Sequence, residues 1–568
     1  MSAYIPSGMI EKEYTLEVVN YKLYERLQQI NPYSELKNFA LELGRKQEQQ
    51  LSLLQRFASI HSTFPKEIPK YFEVYKSFSS IADELYDREY QLLQEYESYA
   101  YYFLSADVKN DLLLQALIDT KMQQVNMLID IKKYMSAISK HHDQNIAQAT
   151  VPFELEEGYQ LEKVVANLTF PTSLTVDDQG FWYIAESGFA YGTPPGEGRV
   201  LRVGNNGALT EIAGGFKGPL TGLTWHQGYF YTAEGNRGGG DRDGGKITKF
   251  SLDGRRKVIV SNLVSCGDHF TGDIKVGPNN KLYFTVGTAT NSAVVGADNT
   301  EWRKLHPNFH DTSARNFVLN GTNFISPRII EHDQNINITG AYKPFGVPSF
   351  DGETVKGNLF ANGVIYSCDL DGNDLRIIAD GFRNPFGMRF SPFNGKLYIT
   401  DNGADERGSR PINRDWDNFW EITINGWYGW PDFFSGLPCI LPHFHVADEP
   451  QPTFLIKKHP PLACQPMARF ARHTSSNKFD FSRNPVFGHV REVFVAQLEG
   501  FKVVRLNTET GQIRDFLVNP MAESNTHGPI RPLQAKFSPD GTALYVVDFG
   551  RLSNPQPHTG ALWKITKK

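Results

Sequence analysis

Cysteine is scarce in this chain. Cys266, Cys368, Cys439 and Cys464 are its four cysteines, and no two of them form a CxxC pair. That spacing signals neither a disulfide framework nor a zinc knuckle. Positive charge is not in excess either: the formal net charge is −5 over 568 residues, which gives no basic field to hold a polyanion and argues against nucleic acid as a partner. No apolar run reaches the roughly 18 residues of a membrane-spanning helix, and the opening MSAYIPSGMIEKEYTLE has no basic segment followed by an apolar one. The default expectation is therefore a cytoplasmic protein without a transmembrane segment, with non-classical export or a cell or spore surface as the other route. The sequons at Asn167, Asn320 and Asn337 add little to that.

Glycine is almost missing from residues 10 to 143, and there apolar residues recur at three-to-four spacing, as in Leu51, Leu54, Phe57 and Ala58. Breaks at Asn31-Pro32, at Thr63 through Pro69 and at Ser105-Ala106-Asp107 divide this half into four helices. The expectation is a four-helix bundle over residues 1–150, similar in outline to a ferritin-like bundle. A di-iron site there requires Glu-x-x-His on two helices, and it is absent: Glu48 is followed three residues later by Leu51, and Asp119 by Met122. The bundle reads as a docking or oligomerisation module.

After residue 150 the texture changes to short aromatic and β-branched runs bounded by Gly, Asn and Asp turns. Self-similarity decides the architecture. One kind of segment occurs six times, as GFWYIAE from Gly180, GYFYTAE from Gly228, KLYFTVG from Lys281, KLYITDNG from Lys396, EVFVAQ from Glu492 and ALYVVDFG from Ala543. A second kind, such as GRVLRV at Gly198 and GALWKI at Gly560, alternates with it. The expected fold class is multidomain, α plus all-β, with the helical bundle followed by a six-bladed β-propeller over residues 151–568.

In a propeller, residues before each innermost strand and after its returning neighbour meet at one rim. Here those residues include Thr172, Thr221, His269, Arg383, Asn384, His473 and Arg531 on one side, and Glu186, Glu234, Asp401, Asn402, Gly403, Glu499 and Asp548 on the other. A concave mouth ringed by imidazole, guanidinium, amide and carboxylate groups is a candidate ligand site. The alternative is that these groups merely satisfy loop amides and hold water.

The stretches DHFTGDIKVGPNNKLYFTVG, GFRNPFGMRFSPFNGKLYITDNGADERGSRP, NGWYGWPDF, HTSSNKFDFSRNPVFG and RPLQAKFSPDGTALYVVDFG resemble the soluble glucose/sorbosone dehydrogenases, which use pyrroloquinoline quinone (PQQ). The resemblance covers most of residues 155–568. It implies a PQQ-dependent oxidation of a sugar or sugar aldehyde, with His269 as general base and Arg383, Asn384, Asn402 and Arg531 around the cofactor. It also implies a Ca²⁺ ion held by the backbone carbonyls of Gly403 and Ala404. Three positions depart from the family's pattern: Ala404 stands where the family has a proline after the calcium-binding glycine, Glu499 lies near where the glucose enzymes place a lysine, and Thr288 stands where they have an aspartate that orients the histidine. The competing readings are a non-enzymatic propeller that binds carbohydrate or protein, and a calcium-dependent lactonase-like hydrolase using Glu186, Glu234 and Asp548.

Overall fold

The computed structural model divides the chain into two compact units, Met1–Ala149 and Thr150–Lys568. It describes residues 153–568 except 189–195, 236–243, 266, 328–335, 448, 520–527 and 553–554, and only scattered positions before residue 150, chiefly 43–52 and 120–125.

The second unit is built from antiparallel sheets. Four of them are free-standing and four-stranded, each starting from an inner strand: Pro171–Val176, Leu220–His226, Thr271–Val276 or Asn384–Phe390. Nine further strands form one sheet containing two more inner strands, Ser476–Phe481 and Pro532–Phe537, joined in parallel at Lys478 and Gln534, and three two-stranded sheets complete the set. The inner strands touch in cyclic order, and Pro532–Phe537 returns to Pro171–Val176, so the arrangement is propeller-like around a central channel. Closure is cross-chain. Tyr159–Leu168 pairs with the final strand Gly560–Lys567, and Glu154–Leu155 pairs with Ile513–Val518, so the start of the unit covers the edges left by its end. Aromatic and β-branched side chains from neighbouring sheets fill the space between them. In one such cluster Phe487, Phe494, Phe516, Phe537 and Trp563 are buried together.

The expected four-helix bundle followed by six separate blades is corrected on both counts. Among the described residues, the helical elements with defined ends are Thr300–Leu305 and the 3-10 turns Asn205–Gly207, Ala297–Asn299 and Pro442–Phe444, so no four-helix bundle, ferritin-like or otherwise, stands among them. Most of the stretch read as that bundle lies outside the described residues. Four four-stranded sheets stand alone instead of six because the parallel bridge at Lys478 and Gln534 fuses the sheets of the last two inner strands into one. None of the described helices is long and apolar enough to cross a membrane.

In the first unit the described residues show which polar side chains turn inward. Glu48 is exposed, whereas Gln47 and Gln50 are buried. The fully buried ammonium of Lys121 bonds Glu17 at 2.8 Å and also Glu89, while Gln47 bonds Glu17 and Gln124 bonds Gln47. Burial, only partly offset by Lys121, pushes the Glu89 carboxyl up to about 7.

Candidate active site at the channel mouth

His269 sits two residues before the inner strand Thr271–Val276, on backbone held by its own amide donating to the Thr288 carbonyl at 3.1 Å. Its Nδ1 lies 3.0 Å from that same carbonyl and 3.2 Å from the Thr288 hydroxyl, which itself donates to the Thr290 carbonyl. A carbonyl only accepts, so Nδ1 carries the hydrogen and Nε2 keeps its lone pair. Thr288 thus orients the imidazole through its backbone. Burial first, then the nearby guanidinium groups of Arg383 and Arg407, hold the imidazole well below its ordinary range, so it is neutral.

Gly287 explains how His269 and Asn384 come together. A Cβ there would stand 2.5 Å from His269 Cβ and 3.0 Å from Asn384 Oδ1, so only a glycine lets both side chains close over this position. Asn384 Nδ2 donates to Asn402 Oδ1 at 3.0 Å, and Asn402 Nδ2 to the Ser476 carbonyl at 2.8 Å. The two amides therefore link the inner strands Asn384–Phe390 and Ser476–Phe481 through the end of the second strand Leu397–Asn402.

Arg383 is buried and bonded through all three of its guanidinium nitrogens. Its Nη1 donates to the Gly403 carbonyl at 2.5 Å, its Nη2 to Asp405 at 2.8 Å, and both Nε and Nη2 to Asn291 Oδ1. Its own carbonyl accepts the Thr288 amide, which ties it to the His269 support. Asn291 also accepts the Asp405 amide and donates to the carbonyls of Asp405 and Arg407. Arg407 in turn bonds Asp268, Asp298 and Asp405, and His473 lies 3.0 Å from Glu406. Burial opposes ionisation of Asp405, but Arg383, a hydrogen bond from His473 and Arg407 outweigh it and hold that carboxyl well below the usual range.

The structure thus brings His269, Arg383, Asn384, Asn402 and Gly403 into one bonded assembly. Ala404 is part of the same loop, its amide donating to Asp415 at 2.7 Å. Arg531 belongs to another side of the mouth. It pairs with Glu499 at 2.5 Å and lies over the Phe501 ring, and the apolar cluster of Phe170, Phe270, Phe386, Leu498, Leu533 and Phe549 is seated at this mouth. Glu499 is therefore a partner of Arg531. Beside Asn384 and Asn402 lies a cavity of about 60 Å³, lined also by Thr172, Thr221, Phe270 and Phe386 among others and not by His269, Arg383 or Arg531.

The carboxylates expected at the rim have a different task. Glu186 accepts the Thr169 amide, Glu234 the Lys217 amide, Asp401 the Asn384 amide, and Asp548 the amides of Ile530 and Arg531. Each closes its own sheet by binding backbone that enters the first strand from the end of the second. That use leaves no carboxylate cage for a lactonase-type metal, and no cluster of three or more His, Cys, Asp or Glu side chains suited to a metal occurs among the described residues. Asn291, Asp405 and Arg407 were not singled out from the sequence. The last two lie inside the quoted GADERGSRP stretch, so a signal was present; Asn291 lies in a long insertion that the repeat pattern does not reach.

No family model matches the chain. A curated relative, quinoprotein glucose dehydrogenase B of Acinetobacter calcoaceticus, is 28% identical over 174 residues, which is 31% of this chain and 28% of the relative. The match thus spans under a third of either protein, and it agrees with the resemblance carried by the motifs. Among solved structures, the PQQ-bound aldose sugar dehydrogenase of Streptomyces coelicolor is 14% identical with a TM-score of 0.44, covering 73% of this chain and 99% of that one. The PQQ domain of Coprinopsis cinerea pyranose dehydrogenase is 15% identical with a TM-score of 0.45, covering 74% of this chain and 98% of that one.

Proposed function

We propose that the chain oxidises a sugar or sugar aldehyde as a quinoprotein, with PQQ and Ca²⁺ as cofactors and His269 as the base. The observation that carries this reading is the His269 geometry: a buried, neutral imidazole with Nδ1–H on a backbone carbonyl and Nε2 left basic, beside the half-buried amide of Asn384, the buried amide of Asn402 and a buried guanidinium. The motif resemblance and the curated relative support it.

The residues present fit the cofactor in the following sense. The 60 Å³ cavity is too small for a tricyclic quinone, so the groups that would hold it are those around the open mouth. Arg383, Asn384, Asn402 and Arg531 supply donors for its carboxylates and carbonyls. Asp405 and Glu499 beside those donors require an added cation if an anion is to approach, and Ca²⁺ on the carbonyl oxygens of Gly403 and Ala404 suits that need. When bound, the quinone supplies the hydride acceptor.

The chain's own residues do the rest. His269 Nε2 takes the hydroxyl proton at the carbon being oxidised, and its low proton affinity keeps it ready as a base at neutral pH. The Thr288 carbonyl holds the ring and favours the imidazolium that forms. Asn384 and Asn402 fix the polar side of the mouth, while Phe270 and Phe386 exclude water from the other.

Titrating the purified protein with Ca²⁺ and PQQ, then supplying aldoses and a dye acceptor, is the test. Cofactor absorbance with turnover that is lost in His269→Ala is expected; absence of both overturns the reading. A second reading rests on a specific observation. Arg383 and Arg531 are each already paired with a carboxylate, Asp405 and Glu499, as in a mouth that takes a neutral carbohydrate without a quinone. Saturable sugar binding with no effect of PQQ would favour it.

A further inference from the structure

The far end of the channel carries charge that no feature of the mouth uses. The next-to-last residues of the last four inner strands are Lys275, Arg389, Asp480 and Lys536, all at the same register. Cross-strand bonds show that they face one another around the channel. Arg389 Nε bonds Asp480 at 2.9 Å, the Phe537 amide donates to Asp480 at 3.1 Å, and the Met388 amide donates to Asp273 at 3.2 Å. Lys275 bonds Asp273 at 2.5 Å. Above them Lys478, 1% exposed, crosses the channel to the carbonyls of Thr172 and Thr221 and the Ser173 hydroxyl, and lies 3.7 Å from Asp273. That crossing separates this end from the mouth.

Within this cluster four cations face two carboxylates, and Asp273 is shared by two of the lysines. Lys536 has no carboxylate within ion-pair distance among the described residues. Unmatched positive charge on largely buried side chains is costly, and an anion seated among them lowers that cost. The lysines register the excess. Burial first, then Arg389, brings Lys536 down to about 7; burial also lowers Lys275 and brings Lys478 to about 8.

We infer that the channel end framed by Lys275, Arg389 and Lys536 is a binding site for a small inorganic anion, separate from the sugar site. The site is independent of any cofactor at the mouth. Inorganic phosphate is the probe, with sulfate and chloride in parallel arms that separate oxyanion from halide. In calorimetric titration of the full chain, phosphate binds saturably at one site, and Lys536→Met weakens it at least about tenfold, as loss of one charge-assisted partner requires. Binding at pH 8 also takes up protons, because the anion favours the charged form of Lys536; titration in buffers of different ionisation enthalpy reads that uptake. No saturable binding of any of the three anions overturns the inference, and so does equal phosphate binding by Lys536→Met. If that variant fails to fold, crystals of the unaltered protein soaked in iodide decide the matter. An anomalous peak between Lys275, Arg389 and Lys536 supports the site, and its absence there overturns it.

Discussion

Two residues before its strand, His269 is held as a neutral imidazole by what surrounds it, and the surroundings can be altered one residue at a time. Arg407 is among the cations that push its proton affinity down. Arg407→Gln removes that repulsion and leaves Asp268, Asp298 and Asp405 nearby, so the His269 titration moves upward. NMR titration of the imidazole checks this, and an unmoved or lowered midpoint contradicts it. In the unaltered protein the acid limb of sugar oxidation is expected below the ordinary histidine range of about 6.5. Asn291 acts differently, as a positioning residue for Arg383 and the 403–407 loop. Asn291→Ala is expected to lower kcat/KM by about a hundredfold through misplacement, with the stability loss held to about 1–3 kcal/mol. A normal kcat/KM with a lowered melting temperature would assign Asn291 a purely structural role. At this scale the sequence was informative where a motif and a register coincide, as at His269, Arg383, Asn384, Asn402 and Gly403. It could not show the partner of Glu499, because Arg531 lies 32 positions along the chain and only folding brings it to 2.5 Å.

Strand pattern was the most legible property of the elements. Each of the six repeated segments falls on a second strand, from Trp182–Glu186 to Ala543–Asp548. What the pattern could not show is where a strand-end carboxylate points. Glu186, Glu234, Asp401 and Asp548 all stand at a rim register, yet each turns to the amides of its own sheet because a buried N–H without an acceptor is costly. In the helical half the apolar period alone does not say which polar residues turn inward: Gln47 and Gln50 are buried and Glu48 is exposed. Loops use the same carboxylate device. Asp311 accepts bonds from the Ala289 amide, the Thr290 hydroxyl and Asn362, and so seats the loop beside Thr288. Burial pushes its carboxyl up to about 7, against an ordinary value near 3.9. The folded state therefore binds this proton more tightly than the unfolded one. The resulting stabilisation is complete below the ordinary value and fades as pH rises through 7. Asp311→Asn keeps the shape and removes the titration. Its stability relative to the unaltered protein should improve steadily from pH 5 to pH 8, and chemical denaturation at several pH values will show whether it does.

Two buried ion pairs allow the molecule to be probed as two units. In the first, Lys121 lies between Glu17 and Glu89, all without solvent exposure. In the second, Arg410 pairs with Asp432, which also accepts the amides of Leu455 and Ile456 and contacts His459. Removing one member of a buried pair leaves the other charged, or unpaired and protonated, in a poorly solvated interior, at a cost of about 3–5 kcal/mol. Lys121→Met should therefore lower the melting of the first unit alone, and Arg410→Met that of the second alone, if each unit unfolds as its own cooperative body. Scanning calorimetry of the full chain and both variants separates the cases. Selective shifts of two transitions establish independent folding, whereas a single transition lowered by either substitution shows that the units stand or fall together. The Lys121→Met penalty should also shrink as pH falls from 8 to 5, because Glu89, already pushed up to about 7, is then protonated and no longer needs its cation.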